Sequence, residues 1–233
     1  MSVKLSFMYD KKTTKYSFDN LSLMKIINEY SDEEINFENY EEINIDELDF
    51  DYPVYSPDMV FKGKEDIRIY EFLSIGEDYN QLLSKLLVCL TFLWEKFDLM
   101  VIVNIIVPPD FDEELEIEFV VDTFFKPQQI NLKNIDGDKL LSDINDKVEN
   151  TGELTLNECI KMSIVPLMGS ENTLNRQIVE VIKTIDKMGS FDFLVREQIL
   201  NMQLLLMDKF GDINSEDQIV SVGDDDRKFL LVF

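Results

Sequence analysis

Val54-Tyr55-Ser56-Pro57-Asp58-Met59-Val60-Phe61 is followed, after Lys62-Gly63-Lys64-Glu65-Asp66, by Ile67-Arg68-Ile69-Tyr70-Glu71-Phe72-Leu73-Ser74. Both runs are rich in β-branched and aromatic residues and the polar segment between them holds a glycine, which predicts a β-hairpin with a short loop. Equal distances from a turn centre between Lys64 and Glu65 are opposed in an antiparallel ladder, so Asp58 lies across from Glu71. Period-two alternation puts Ile67, Ile69, Glu71 and Leu73 on one face, and the register adds Val60 and Asp58 to it. Two carboxylates therefore converge on an otherwise apolar face.

Downstream, Leu82, Leu83, Leu86, Leu87, Leu90, Leu93 and Trp94 recur at helical spacing over residues 79–97, giving a helix apolar on more than one side that lies against a sheet and under another element. Residues 99–107 form a nearly unbroken aliphatic run ending at Pro108-Pro109, which predicts a strand buried on both faces. Residues 115–125 read as one further strand. A hairpin, a long helix and a buried strand make a β-β-α-β unit, with the helix crossing over so that the last strand runs parallel to its neighbour. The fold class is α/β.

Outward from this core, residues 3–9 and 14–18 suggest a weak hairpin or extended arm and residues 21–27 one amphipathic helix. Beyond residue 135 the pattern turns helical, over about 138–149, 155–163, 172–188 and 191–210. Thr155 and Glu158 stand at capping-box spacing, and Gly189 and Gly211 make plausible stops. Asp136-Gly137-Asp138 reads as a loop and helix start, Asp224-Asp225-Asp226 as a solvated turn, and residues 229–233 as a last edge strand or docking tail. The expected organisation is an N-terminal arm, helix and acidic connection over 1–53, an α/β core over 54–134 and a C-terminal helical region over 135–233.

Composition narrows the chemistry. The 233 residues include no histidine, which excludes Ser–His and Cys–His nucleophile pairs, His-ligated metals and imidazole bases within the chain. Cys89 and Cys159 sit in apolar helical patterns without CxxC spacing and read as reduced core thiols of a cytoplasmic protein. No apolar run approaches the roughly 18 residues that span a bilayer, so no membrane role is expected. The net charge is −25, and residues 31–52 hold ten carboxylates with no Lys or Arg. That stretch repels a phosphate backbone. It reads as a solvated, poorly ordered connection, with a shield over a site or an interaction surface as the alternatives.

The pair invites a cation. Opposed Cβ atoms lie about 4.5–5.5 Å apart, and like charges there are destabilising unless a cation lies between them or one is protonated. Oxygen-only ligation suits Mg²⁺ or Mn²⁺, which polarise a phosphoryl oxygen and lower the pKa of bound water. The competing reading has Asp58 capping the strand entry after Pro57 and Glu71 pointing to solvent. Both stand at this point.

Pro57-Asp58, then twelve residues, then Glu71-Phe72-Leu73-Ser74 resembles the PD-(D/E)XK nuclease superfamily, above all its recombination-promoting nuclease and transposase-like branch. The following helix, the aliphatic strand ending in prolines, Gly152-Glu153-Leu154-Thr155-Leu156-Asn157-Glu158 and Val165-Pro166-Leu167-Met168 are similar to that branch in order and wording, so the resemblance covers about residues 54–210. It implies a restriction-endonuclease-like core and a Mg²⁺- or Mn²⁺-dependent phosphodiester hydrolase acting on DNA, with Asp58 and Glu71 as catalytic metal ligands. The family's third motif position carries Lys or Gln, but here it is Leu73, which can neither donate a hydrogen bond nor carry charge. Lys85 in the next helix is the candidate third catalytic group, with Gln81 behind it; otherwise Lys85 is a solvent-facing interruption of an apolar helix. The expected function is a weak or degenerate DNA phosphodiesterase. The alternative is an inactive member of the same fold that binds a protein partner, with a stand-alone acidic partner or DNA mimic as a third reading.

Overall fold

The computed structural model describes residues 19–30, 35–48, 54–76, 78–120, 123–151, 153–188, 193–211, 220–222 and 229–231. The expected N-terminal arm, the helix stop at Gly189 and the Asp224-Asp225-Asp226 turn lie outside them, as do residues 31–34 and 49–53 of the acidic stretch. The chain divides into two compact units, Ile27–Asn131 and a second formed by Met1–Ile26 with Leu132–Phe233. The described residues 27–30 and 35–48 thus fall in the first unit and 132–134 in the second.

The first unit is an α/β assembly. Its elements are the end of α1 (Asn20–Glu29), β1 (Glu41–Glu42), β2 (Met59–Lys62), β3 (Asp66–Phe72), α2 (Tyr79–Phe97), β4 (Met100–Ile106), β5 (Ile117–Val120), β6 (Thr123–Phe125) and β7 (Gln128–Ile130). The main sheet is mixed, in the order β1-β2-β3-β4-β7. β2 and β3 pair antiparallel with Val60 opposite Ile69 and Lys62 opposite Ile67, the register expected from the turn centre. β4 lies parallel to β3, with Glu71 opposite Ile105, so α2 is the expected crossover. Asp78 caps α2 by accepting from the Gln81 N–H, and Asp98 closes it in a left-handed conformation (φ 52°) two residues before β4 begins.

β3 is buried along its whole length. One face carries Ile67, Ile69 and Glu71, and the buried side of α2 presents Leu82, Leu83, Leu86, Cys89 and Leu93. Burial of each such leucine stabilises by about 1.5–3 kcal/mol. Arg68, Tyr70 and Phe72 point the other way. There Phe61 and Tyr70 stack edge to face at 5.9 Å, and Phe37 meets Phe61 at 6.0 Å. The Tyr40 hydroxyl donates to Asp66, whose carboxylate also takes the Arg68 Nε at 3.0 Å. The acidic stretch is therefore folded where it is described: Phe37 and Ile45 are buried, and β1 pairs antiparallel with β2.

Several expectations change. Met100 at the start of β4 is 62% exposed, so only the second half of that strand is sandwiched. Val88 and Trp94 leave a second apolar side of α2 exposed. The run 115–125 is not a strand of the main sheet but a separate hairpin, β5 with β6. The sheet takes β7 instead, parallel to β4 with Asn104 opposite Gln128. Gln128 and Gln129 carry no apolar signal; backbone pairing recruits them, and the Gln129 amide accepts from the Leu115 N–H and donates to the Glu113 carbonyl.

The second unit contains most of α1, β8 (Leu132–Asp136), α3 (Gly137–Thr151), α4 (Leu156–Ser163), β9 (Met168–Gly169), α5 (Leu174–Lys187), α6 (Phe193–Phe210) and the hairpin β10 (Val220–Val222) with β11 (Phe229–Leu231). The expected helices are present and Thr155 with Glu158 forms the capping box. Missed was the short parallel pair β8–β9. Asp138, in the first turn of α3, reaches the loop after β9, accepting from the Ser170 hydroxyl (2.6 Å), the Glu171 N–H (2.8 Å) and the Asn172 amide (3.3 Å). The Ser170 bond leads, opposed by burial and aided by Glu171 and Asn172, and the Asp138 carboxyl is held below its ordinary range.

Two outcomes are expected here. A Cβ on Gly169 would lie 2.2 Å from the Lys133 carbonyl oxygen, which belongs to backbone. Gly169→Ala should cost about 1–3 kcal/mol as overpacking, read as a lower urea midpoint. Because the folded Asp138 pKa is depressed, its contribution is complete above the unfolded value of about 3.9 and is lost as pH falls through the folded one. Asp138→Asn should then flatten the acid limb of a stability-against-pH profile; an unchanged limb would remove Asp138 from it.

Candidate functional site at the hairpin edge

Met59 opposite Tyr70 is the last backbone pair of the hairpin, and one step beyond it stand Asp58 and Glu71. There the ladder passes to side chains. The Asp58 N–H donates to Glu71 Oε2 at 3.0 Å, and the Phe72 N–H donates to Asp58 Oδ2 at 2.9 Å. Each carboxylate thus takes a backbone N–H from the opposite strand. Hydrogen bonding to the charged form offsets the repulsion that bare opposition would bring.

Glu71 is only 1% exposed, which overturns the solvent-pointing alternative, whereas Asp58 is half-buried and does cap the opposite strand. The Tyr55 hydroxyl donates to Glu71 Oε1 at 3.0 Å, so both Glu71 oxygens are held. Tyr55 was not singled out from the sequence. The available signal was an aromatic side chain with a polar tip just ahead of Pro57-Asp58, where a buried phenol needs a partner.

Lys85 Nζ lies 5.5 Å from the Tyr55 ring centroid, within cation–π range. It is half-buried rather than solvent-facing, and the structure brings it to the tyrosine that holds Glu71. Gln81 is exposed. Behind the pair, burial first and the Glu71 charge second push the Cys89 thiol up to about 12, so it is protonated at neutral pH and no nucleophile.

Leu73 is 1% exposed and its N–H continues the parallel ladder to the Ile106 carbonyl at 3.0 Å. Its side chain helps line a cleft of about 210 Å³ with Ser74, Tyr79, Pro108, Asp110 and Phe111. Asp58 immediately precedes β2, which runs against β3, and Glu71 is the last residue but one of β3. Pair and cleft therefore share the edge where the parallel strands end, the place ligands favour in open α/β sheets.

Two carboxylates from adjacent strands fit a hard dication, since Mg²⁺ commonly takes one or two and completes its shell with water or phosphate. Among the described residues no group of three or more Cys, Asp or Glu gathers as a metal cage, so Asp58 and Glu71 would be the protein's share. Compared with family models, curated proteins and solved structures, the chain matches none.

Tyr55→Phe keeps the ring under Lys85 but removes the donor to Glu71 Oε1. The buried carboxylate should lose about 1–3 kcal/mol of stabilisation, seen as a lower denaturation midpoint. A midpoint equal to that of the unaltered protein would mean that Tyr55 is no support for Glu71.

Proposed function

We propose that the Ile27–Asn131 unit is a metal-dependent phosphodiesterase core of the PD-(D/E)XK type, weak in turnover and directed at DNA. The observation that carries this reading is the gathering of Asp58, Glu71 and Lys85 at one sheet edge, with Tyr55 joining the lysine to Glu71. The hairpin, crossover helix and parallel strand stand in the order that a restriction-endonuclease-like core requires, which supports that finer fold. Two free, buried thiols suit a reducing compartment such as the cytoplasm.

In this reading Asp58 and Glu71 hold Mg²⁺ or Mn²⁺, which when bound polarises a phosphoryl oxygen and lowers the pKa of water. Tyr55 and the Asp58 N–H fix the Glu71 carboxylate so that it needs no reorganisation. Lys85, over the ring of the tyrosine that holds Glu71, supplies a positive charge on the same side. Leu73 supplies none, and loss of one such stabiliser typically costs about 10²–10³ in rate.

A second reading is favoured by that same Leu73, buried where the family carries a cation or amide, and by a net charge of −25 against a polyanionic substrate. Here the unit keeps the pair but does not cleave, and serves as a binding or regulatory protein for a protein partner.

Calorimetric titration with Mg²⁺ and Mn²⁺ should show binding that Asp58→Ala abolishes. Plasmid cleavage should be feeble, and a folded Leu73→Lys variant should raise it toward 10²-fold. Metal binding with an inert Leu73→Lys variant would replace the hydrolase by the binding protein, and no metal binding would end the hydrolase and leave the binding protein. Strong cleavage by the unaltered chain that Lys85→Met removes would assign the third role to Lys85.

A further inference from the structure

The cleft beside Leu73 has a composition that the hydrolase reading does not use. Its rings, Tyr79 and Phe111, are half-buried and meet edge to face, with centroids 5.7 Å apart and planes at 81°. That arrangement leaves the faces of one ring uncovered by the other. Ser74 brings a hydroxyl and Asp110 a carboxylate, while Ile75 at 59% exposure stands at the rim. Among the described residues no lysine or arginine lines it. At about 210 Å³ it falls below the roughly 300–1,000 Å³ of sites for drug-sized ligands, so it suits one ring system rather than a peptide or an acyl chain.

We propose that this cleft is a nucleobase subsite, which makes the substrate an unpaired nucleotide, in a single strand or at a frayed end, rather than an intact duplex. The inference rests on the phosphodiesterase reading, since the cleft borders the Asp58–Glu71 edge where a phosphodiester would lie. Charge points the same way. A chain at −25 draws little affinity from phosphates, whereas base stacking on an aromatic ring is indifferent to the sign of the protein's charge. A base within a duplex is already stacked and must be taken out before it can enter such a cleft. The Ser74 hydroxyl can donate to or accept from a base edge, and the Asp110 carboxylate accepts from an exocyclic amine.

The test is fluorescence anisotropy of the full chain with three labelled probes of equal length: a single-stranded oligodeoxycytidylate, whose base carries an exocyclic amine, the same strand in a duplex, and a strand of stable abasic residues. Each is measured with Mg²⁺ and with a chelator, on the unaltered chain, Tyr79→Ala and Tyr79→Phe. The expected order is single strand over duplex and over abasic strand. Tyr79→Ala should weaken the single strand about 5- to 150-fold, and Tyr79→Phe, which keeps the ring, should bind normally. Base-dependent binding should survive the chelator, because stacking needs no metal. Equal binding of abasic and base-bearing strands, or a folded Tyr79→Ala variant that binds as well as the unaltered chain, overturns the subsite whatever the metal titration gives. Failure of metal binding with base preference intact sinks the phosphodiesterase and leaves the subsite standing.

Discussion

A carboxylate that is 1% exposed at the end of a central strand is the constraint on which the hairpin edge depends. Taking Glu71 out of water is expensive unless its oxygens are met by donors, and those donors must arrive from fixed places. One is the Tyr55 hydroxyl and the other is the Asp58 N–H. Both precede β2, so the path of residues 55–58 is tied to the end of β3. The return bond from the Phe72 N–H to Asp58 closes the arrangement. The two charges are thus placed by backbone geometry before any ligand is considered, and preorganisation of this kind is what an electrostatic site needs.

The rest of the sheet unit keeps that edge rigid. β3 is packed on both faces, against apolar side chains of α2 on one side and against Phe37, Phe61 and Tyr70 on the other. At the opposite end of the strand Asp66 and Arg68 form a largely buried ion pair beside the Tyr40 hydroxyl. Buried pairs of this kind are weak evidence for stability, but they disfavour alternative registers because a one-residue slip would bury unpaired charge. Burial, leading over the Asp66 contact, raises the pKa of Tyr40, so the phenol keeps the proton it donates. Both ends of β3 are therefore held by polar contacts while its middle is held by apolar area.

What surrounds the pair is not a basic surface. The shared edge offers a buried leucine, two aromatic rings and acceptors, and Lys85 lies over the Tyr55 ring. In the proposed reading, recognition by ring faces and hydrogen bonds suits an acidic chain better than recognition by phosphate contacts, because stacking needs no positive protein charge to supply its share of the affinity.

The hairpin, its register, the crossover helix and the parallel strand were all legible from residues 54–107, because alternation, turn chemistry and helical spacing are local and each pointed to one arrangement. The opposition of Asp58 and Glu71 followed from counting out from the turn. What counting could not supply was the state of the carboxylates: whether Glu71 faces water depends on Tyr55 and α2 closing over it, and whether Lys85 is idle depends on where Tyr55 lies. Strands of only two or three residues, β1, β7 and β9, escaped for a related reason. Their signal is backbone pairing with a partner distant in the chain, as Gln128 with Asn104 or Met168 with Leu132, and such partners are chosen only when the sheet assembles. The cleft of Tyr79 and Phe111 is another product of assembly, made where the loops after β3 and β4 come together. Local sequence therefore determined which groups stand on which face, and the tertiary structure alone decided which were buried, which were bonded and which met, since burial and contact belong to chain segments brought together from afar.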